Sequence, residues 1–426
     1  MRPSPAVAAI FAVALIAPAA HAACKPGAYG LDASHFVVIV PQSNSPQAGQ
    51  RYLFVDGRRG NVTDPESPVT CNGGAAVVNH GEGRSENWAE IPTTKTDTSF
   101  VSLETRLAGR LIEPFSDDPD VERPLVVMVH GSERTSALHS PYAYALAAQG
   151  VTVFVYDKRG AGASEGEYTQ NFDLLAADAA AALGKAKAMA RGRITRAGYF
   201  GGSQGGWVAP LAATQSRADF VAVGFGLVAS PIEEDREQLI SEARALGLEA
   251  PAIDLLNRLS QATSRVLLSD FSSGYEELTK VRRELESRPW WPKIRGEYSG
   301  DMARLSVDEL KRFGPARFDN LELQWNYDSV GALKRLDAPL LWVLAEDDRE
   351  APIETTRTAL QQLMREKKGI DVYVFPDTDH GMVEYVTNRD GSRTPTRITD
   401  GYLRLLGDWI NERVTGGYGR GQKLAP

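Results

Sequence analysis

Two textures of hydrophobic patterning divide this chain of 426 residues. Beyond about residue 99, apolar residues gather in short unbroken runs at 125–129, 151–156, 198–200, 221–227, 340–344 and 372–375. A strand with no polar face is buried on both sides, as the central strands of a parallel sheet are. Helical patterns lie between the runs: 141–148, stopped by Gly150, and the Ala/Leu-rich stretch 172–190. Two more runs, 100–103 and 107–112, read as paired strands leading in. Strands alternating with helices predict an α/β fold with a mainly parallel sheet, here spanning 98–229 and resuming over 331–414.

The alternation fails in two places. Residues 23–97 are rich in Gly, Asn and Ser, with apolar bursts at 36–40 and 52–55 and a turn signal at Asp56-Gly57. This texture predicts a small β-rich N-terminal module. Over 230–330 the pattern is helical and charged, with the pair Trp290-Trp291, and reads as a helical insertion that could cap a site. A closing amphipathic helix is expected over 398–414, and a loose Gly-rich tail over 415–426.

Residues 1–22 carry a basic Arg2, an apolar core at 6–16, Pro18 and the small-residue triplet Ala20-His21-Ala22. That is the pattern of a secretory signal peptide, and the apolar core is short of the ~20 residues a membrane span requires. A periplasmic or secreted location follows. Acylation of Cys24 ranks behind plain export, because His21 stands where lipoprotein signals usually carry Leu. Removing Arg2 would take the formal charge from −8 to −9, and no dense Lys/Arg block offers a footprint for nucleic acid. Cys24 and Cys71 are the two cysteines, a candidate disulfide in an oxidising compartment. Neither CxxC nor HExxH occurs, so no metal site and no cofactor are expected.

The chemistry concentrates at Gly201-Gly202-Ser203-Gln204-Gly205-Gly206-Trp207, between an apolar run and a helical one. Glycines two before and two after a serine allow a turn so tight that the hydroxyl is presented at the strand end. Strand, Gly-x-Ser-x-Gly and helix together form the nucleophile elbow of α/β-hydrolases, in which acid and histidine follow the serine in that order. A serine needs a base to accept its proton. Of six histidines, His380 alone follows Ser203, in Asp379-His380-Gly381 after the run 372–375. Glu346, Asp347 and Asp348, after the run 340–344, compete for the acid. A tetrahedral intermediate also needs N–H donors. Gln204 offers one, and the loop His130-Gly131-Ser132-Glu133-Arg134 offers the other near Ser132.

These segments, with Tyr156-Asp157-Lys158-Arg159-Gly160-Ala161-Gly162 and Asp348-Arg349-Glu350-Ala351-Pro352, resemble the α/β-hydrolase superfamily. Within it they are similar to the bacterial serine aminopeptidase and carboxylesterase-like branch, over roughly 99–414. The resemblance implies a Ser203–His380–Asp348 triad, since such loops commonly read Asp-x-x-Val-Pro, with Ser132 and Gln204 forming the oxyanion hole. It says less about substrate. A small-molecule ester or other acyl substrate is expected. Amide hydrolysis and acyl transfer use the same triad, and a binding protein on an inactive hydrolase fold is the reading of a different class. The ester expectation rests on Glu233, Glu234 and Asp235. Ser230-Pro231-Ile232-Glu233 reads as a capping box, and Glu234 and Asp235 as charges serving the same helix end. None would then be left to hold a substrate's ammonium group. Trp290 and Trp291 are candidates for a lid over an acyl group.

Overall fold

The computed structural model describes residues 23–42, 49–319 and 322–426. The predicted signal segment therefore lies outside the described residues. The apolar runs become a nine-stranded sheet built from β1 (Thr93–Ser102), β2 (Thr105–Pro114), β3 (Arg123–Val129), β4 (Thr152–Tyr156), β5 (Ile194–Gly202), β6 (Val221–Gly224), β7 (Leu340–Ala345), β8 (Ile370–Phe375) and β9 (Gln422–Lys423). Their order across the sheet is β9-β8-β7-β6-β5-β3-β4-β2-β1. The six strands from β8 to β4 pair in parallel, while β1, β2 and β9 add antiparallel edges. Every residue of β4, β6 and β7 is buried, as expected of strands covered on both faces.

Helices α1 (Pro141–Ala148) and α11 (Tyr402–Ile410) cover one face. Helices α2 (Phe172–Met189), α3 (Gly205–Gln215), α9 (Ser329–Arg335) and α10 (Glu354–Glu366) cover the other. This is the α/β-hydrolase fold. The insertion is helical: α4 (Pro231–Ala245), α5 (Ala250–Leu268), α6 (Tyr275–Glu286), α7 (Ser299–Arg304) and α8 (Val307–Gly314) share an apolar core of their own. Trp291 lies in that core and Trp290 packs against it, so neither lies over the serine.

The N-terminal segment forms two small antiparallel sheets. One joins Gly27–Asp32, His35–Pro41, Gln50–Phe54, Arg59–Asn61 and Glu90–Ile91; the other joins Val69–Asn72, Ala75–Gly81 and Arg84–Trp88. Phe36, Val38, Val40 and Leu53 from the larger sheet, with Val55 just beyond it, share a core with α1 and α11. A disulfide ties Cys24 to Cys71 across the module.

Two expectations at the C-terminus need correcting. The closing helix runs only from Tyr402 to Ile410, because Gly401 starts it in a left-handed conformation and Arg393–Ile398 is a strand. The tail is not a loose end. Tyr418 is buried, and β9 pairs with β8.

Candidate active site

The serine is displayed by its backbone. Ser203 follows β5 with φ of 52°, a left-handed conformation rare for a residue with a Cβ. A Cβ on Gly201 would sit 2.2 Å from the Gly205 carbonyl oxygen, and one on Gly205 would sit 2.2 Å from that of Val129. Both positions therefore require glycine. The turn stores strain and leaves the hydroxyl at the C-terminal end of the sheet.

Sequence-distant partners meet the hydroxyl there. His380 Nε2 lies 3.1 Å from Ser203 Oγ, and His380 Nδ1 lies 2.9 Å from Asp348 Oδ2. Asp348 Oδ1 accepts hydrogen bonds from the Glu350 and Ala351 N–H groups at 3.0 and 2.7 Å. Burial raises the Asp348 carboxyl above its ordinary value, opposed by its hydrogen bond to His380. Burial would lower His380, but the hydrogen bond and charge of Asp348, with Glu350 and Asp379, raise it above its usual 6.5. The Phe225 ring meets the imidazole edge-on, 5.2 Å between centroids.

Asp347 and Asp379 serve a different purpose. A hairpin of Val383–Thr387 and Arg393–Ile398 follows His380 and returns to the acid loop. From it Tyr385 OH donates to Asp347 Oδ2 at 2.8 Å. Arg393 donates to the Asp347 carbonyl and to Asp379 Oδ2, each at 2.6 Å. Asp379 Oδ1 in turn accepts from the His380 and Arg349 N–H groups. Both carboxylates thus brace the loops that carry Asp348 and His380. This hairpin was not foreseen, although Asp390-Gly391 between two alternating segments was its available signal.

Ser132, Ser203 and Gln204 line one cleft of about 230 Å³. Among the described residues, neither the Ser132 nor the Gln204 N–H meets a protein acceptor. His130 faces Glu133, Nδ1 to Oε1 at 3.4 Å, rather than the serine. The cap closes the cleft with Tyr298, Phe318, Leu323 and Trp325. A second cavity of about 380 Å³ opens on the other side of Ser203 and is walled by Met128, Tyr142, Phe200 and Phe225.

The three acidic residues at the start of α4 divide. Glu233 completes the capping box with Ser230. Asp235 is buried and accepts from the Tyr298 and Ser299 N–H groups, each at 2.9 Å. Glu234 instead lines the cleft beside Ser203, together with Glu297 and Glu350. Desolvation, then the charges of Glu297 and Glu350, push Glu234 well above the usual carboxylate range. Glu297 is raised by burial, then by the charges of Glu350 and Asp235. Glu233 and Glu234 both stand in the first turn of α4 as expected, but Glu234 also lines the cleft, and Asp235 bonds the start of α7 instead of its own helix end.

Residues 120–288 match the family model described as serine aminopeptidase, S33. Among solved structures, an esterase from Pyrococcus furiosus is 14% identical over 68% of this chain and 86% of its own, with a TM-score of 0.40. An acylaminoacyl peptidase from Pyrococcus horikoshii is 13% identical over 78% of this chain and 44% of its own, TM-score 0.42. Proline iminopeptidase from Mycobacterium smegmatis is 15% identical over 75% and 98%, TM-score 0.44. No curated protein matches the chain.

Proposed function

We propose that this α/β-hydrolase is an exported serine hydrolase that cleaves a carboxylic acyl bond through an acyl-enzyme on Ser203. The observation that carries the reading is the unbroken line Asp348–His380–Ser203, at 2.9 and 3.1 Å. Neutral His380 takes the Ser203 proton as Oγ attacks the carbonyl, while Asp348 holds the ring's tautomer and stabilises the imidazolium. The Ser132 and Gln204 N–H groups receive the oxyanion. The leaving group departs with the proton held by His380, and a water activated by the same imidazole releases the acid. No cofactor enters this scheme. A fluorophosphonate that labels the wild type but not Ser203→Ala tests it; equal labelling of both would end the reading.

A carboxylic ester is the simplest substrate, and the apolar cavity walled by Tyr142, Phe200 and Phe225 suits a modest apolar group on it. A second reading has an observation of its own. Glu234, Glu297 and Glu350 gather in the cleft, and a neutral ester gives three clustered carboxylates nothing to bind. An ammonium group near the scissile carbonyl would, as in an aminoacyl ester or amide. Comparing kcat/KM for p-nitrophenyl esters and aminoacyl p-nitroanilides decides between the two. An anilide preference lost selectively in Glu234→Gln selects the second reading.

A further inference from the structure

Strands β5, β3 and β4 are consecutive neighbours in the sheet, so the loops leaving their C-terminal ends stand in a row. The loop after β5 carries Ser203 and Gln204, that after β3 carries Gly131 and Ser132, and that after β4 carries Lys158. Lys158 reaches across the whole row. Its ammonium donates to the Gly131 carbonyl and, at 2.8 Å, to Gln204 Oε1. The residue is 3% exposed, and its hydrogen bonds go to carbonyl oxygens rather than to a carboxylate. A buried charge held this way is a poor means of stabilising a fold, since apolar replacements of similar volume are often as good or better. Its position offers another reason. The Gly131 carbonyl and the Ser132 N–H belong to one planar peptide unit and point in opposite directions. A cation on the carbonyl therefore fixes where the N–H points and polarises it as a donor. The same cation anchors the side chain of Gln204, whose own N–H follows the serine.

We propose that Lys158 is the positioning residue of the oxyanion hole: its charge aims the Ser132 and Gln204 N–H groups at the oxygen that becomes negative. This rests on Ser203 being the nucleophile.

The charge can be lost in an accessible pH range. Burial pushes Lys158 down to about 8, with the Glu133 charge opposing. Glu133 itself pairs with His130. Tyr168 faces the ammonium with its ring centre 5.5 Å away, and its hydroxyl donates to the Ser132 carbonyl. Burial raises that hydroxyl above 10, so it stays neutral, and Arg134 lies 4.2 Å from the same ring. Asp157 accepts from Ser136, Ala137 and Ala163, and Arg159 pairs with Asp178. Deprotonation leaves Lys158 a neutral amine and a weaker donor, so Ser203 chemistry declines above about pH 8.

The test follows the fluorophosphonate labelling rate and kcat/KM for p-nitrophenyl butyrate from about pH 6 to 10, in wild type, Lys158→Met and Lys158→Arg. The wild type should lose activity above about 8. Lys158→Met should show kcat lower by on the order of 100-fold, the scale of one lost oxyanion donor. Its KM should stay within about threefold, and its profile should lack the limb near 8. Lys158→Arg should move that limb beyond about 9, because a guanidinium stays charged. A wild-type profile flat to pH 10, or a Lys158→Met enzyme with wild-type kcat or an unmoved limb, overturns the proposal. If Lys158→Met does not fold, the wild type and Lys158→Arg decide, and an unmoved limb in Lys158→Arg is then the overturning result. A wild type inert to the probe would sink the nucleophile reading itself, an outcome distinct from a labelled enzyme indifferent to Lys158.

Discussion

Ser203, His380 and Asp348 act as one unit in the proposed chemistry, so their removals should not add. Ser203→Ala and His380→Ala should each abolish turnover, and the double variant should be little worse than either. Asp348→Asn should lose on the order of 10⁴-fold in kcat, because an amide at this position holds the wrong imidazole tautomer. Asp347→Asn should stay within a few-fold, since Asp347 bonds Tyr385 rather than His380. The reverse ranking of the two aspartates would refute the acid assignment. A base must be neutral to work, and His380 is raised above 6.5, so activity should climb with pH through a midpoint above that value. Glu350 Oε1 lies 3.6 Å from His380 Nε2 and contributes to the rise, though its side chain is 59% exposed. Glu350→Gln should therefore lower the acid midpoint only slightly, as befits a solvent-screened charge. A pH–rate titration of both proteins reads this directly, and an unchanged midpoint counts against it. With the Lys158 limb near 8, the working range should be narrow.

Among the elements, what was legible in advance followed from how local the constraint is. The elbow was legible because its tightest constraint is local, Gly201 against Gly205 four residues on, although Gly205 itself meets the sequence-distant end of β3. The buried strands were legible because a central strand tolerates no polar face. The acidic cleft was not, because Glu234, Glu297 and Glu350 come from α4, the segment before α7 and the acid loop, and meet only once the cap has docked. Lys158 stands in a segment that carries the family resemblance, and nothing local distinguishes it from a surface lysine. Its loop is held by the neighbouring Arg159, whose Nε and Nη2 meet the two oxygens of Asp178 on α2 at 2.8 and 2.6 Å. Asp178 is fully buried. Asp178→Ala leaves a buried guanidinium unpaired and should cost about 3–5 kcal/mol in urea unfolding. Because the same loop carries Lys158, kcat should fall as well. A loss under about 1 kcal/mol would mean that Arg159 finds water or another partner.

For the whole molecule, the question is how far the N-terminal module is a separate body. Phe36, Val38 and Val40 share a core with α1 and α11, so part of the module belongs to the hydrolase face. The rest is a smaller cluster in which Cys24, Cys71, Phe54, Val78 and Trp88 pack together. Below some tens of residues an apolar core is marginal, and cross-links make up the difference. The disulfide joins residues 47 apart, which in the chain-entropy model contributes about 4 kcal/mol. It also removes the free thiol that acylation of Cys24 would require. Both cavities beside Ser203 are lined, among the described residues, from Met128 onward, so the module contributes to neither. Stability and catalysis should therefore separate. Cys24→Ser/Cys71→Ser should unfold at lower temperature, and its amide exchange should rise first over residues 23–92. At 25 °C its kcat/KM should match that of the wild type. Mass spectrometry of the unreduced protein provides the control: two freely alkylated thiols would remove the cross-link from the argument. A loss of activity in step with reduction at 25 °C would show that the module, through α1 and α11, holds the active-site loops in place and is not merely fastened behind them.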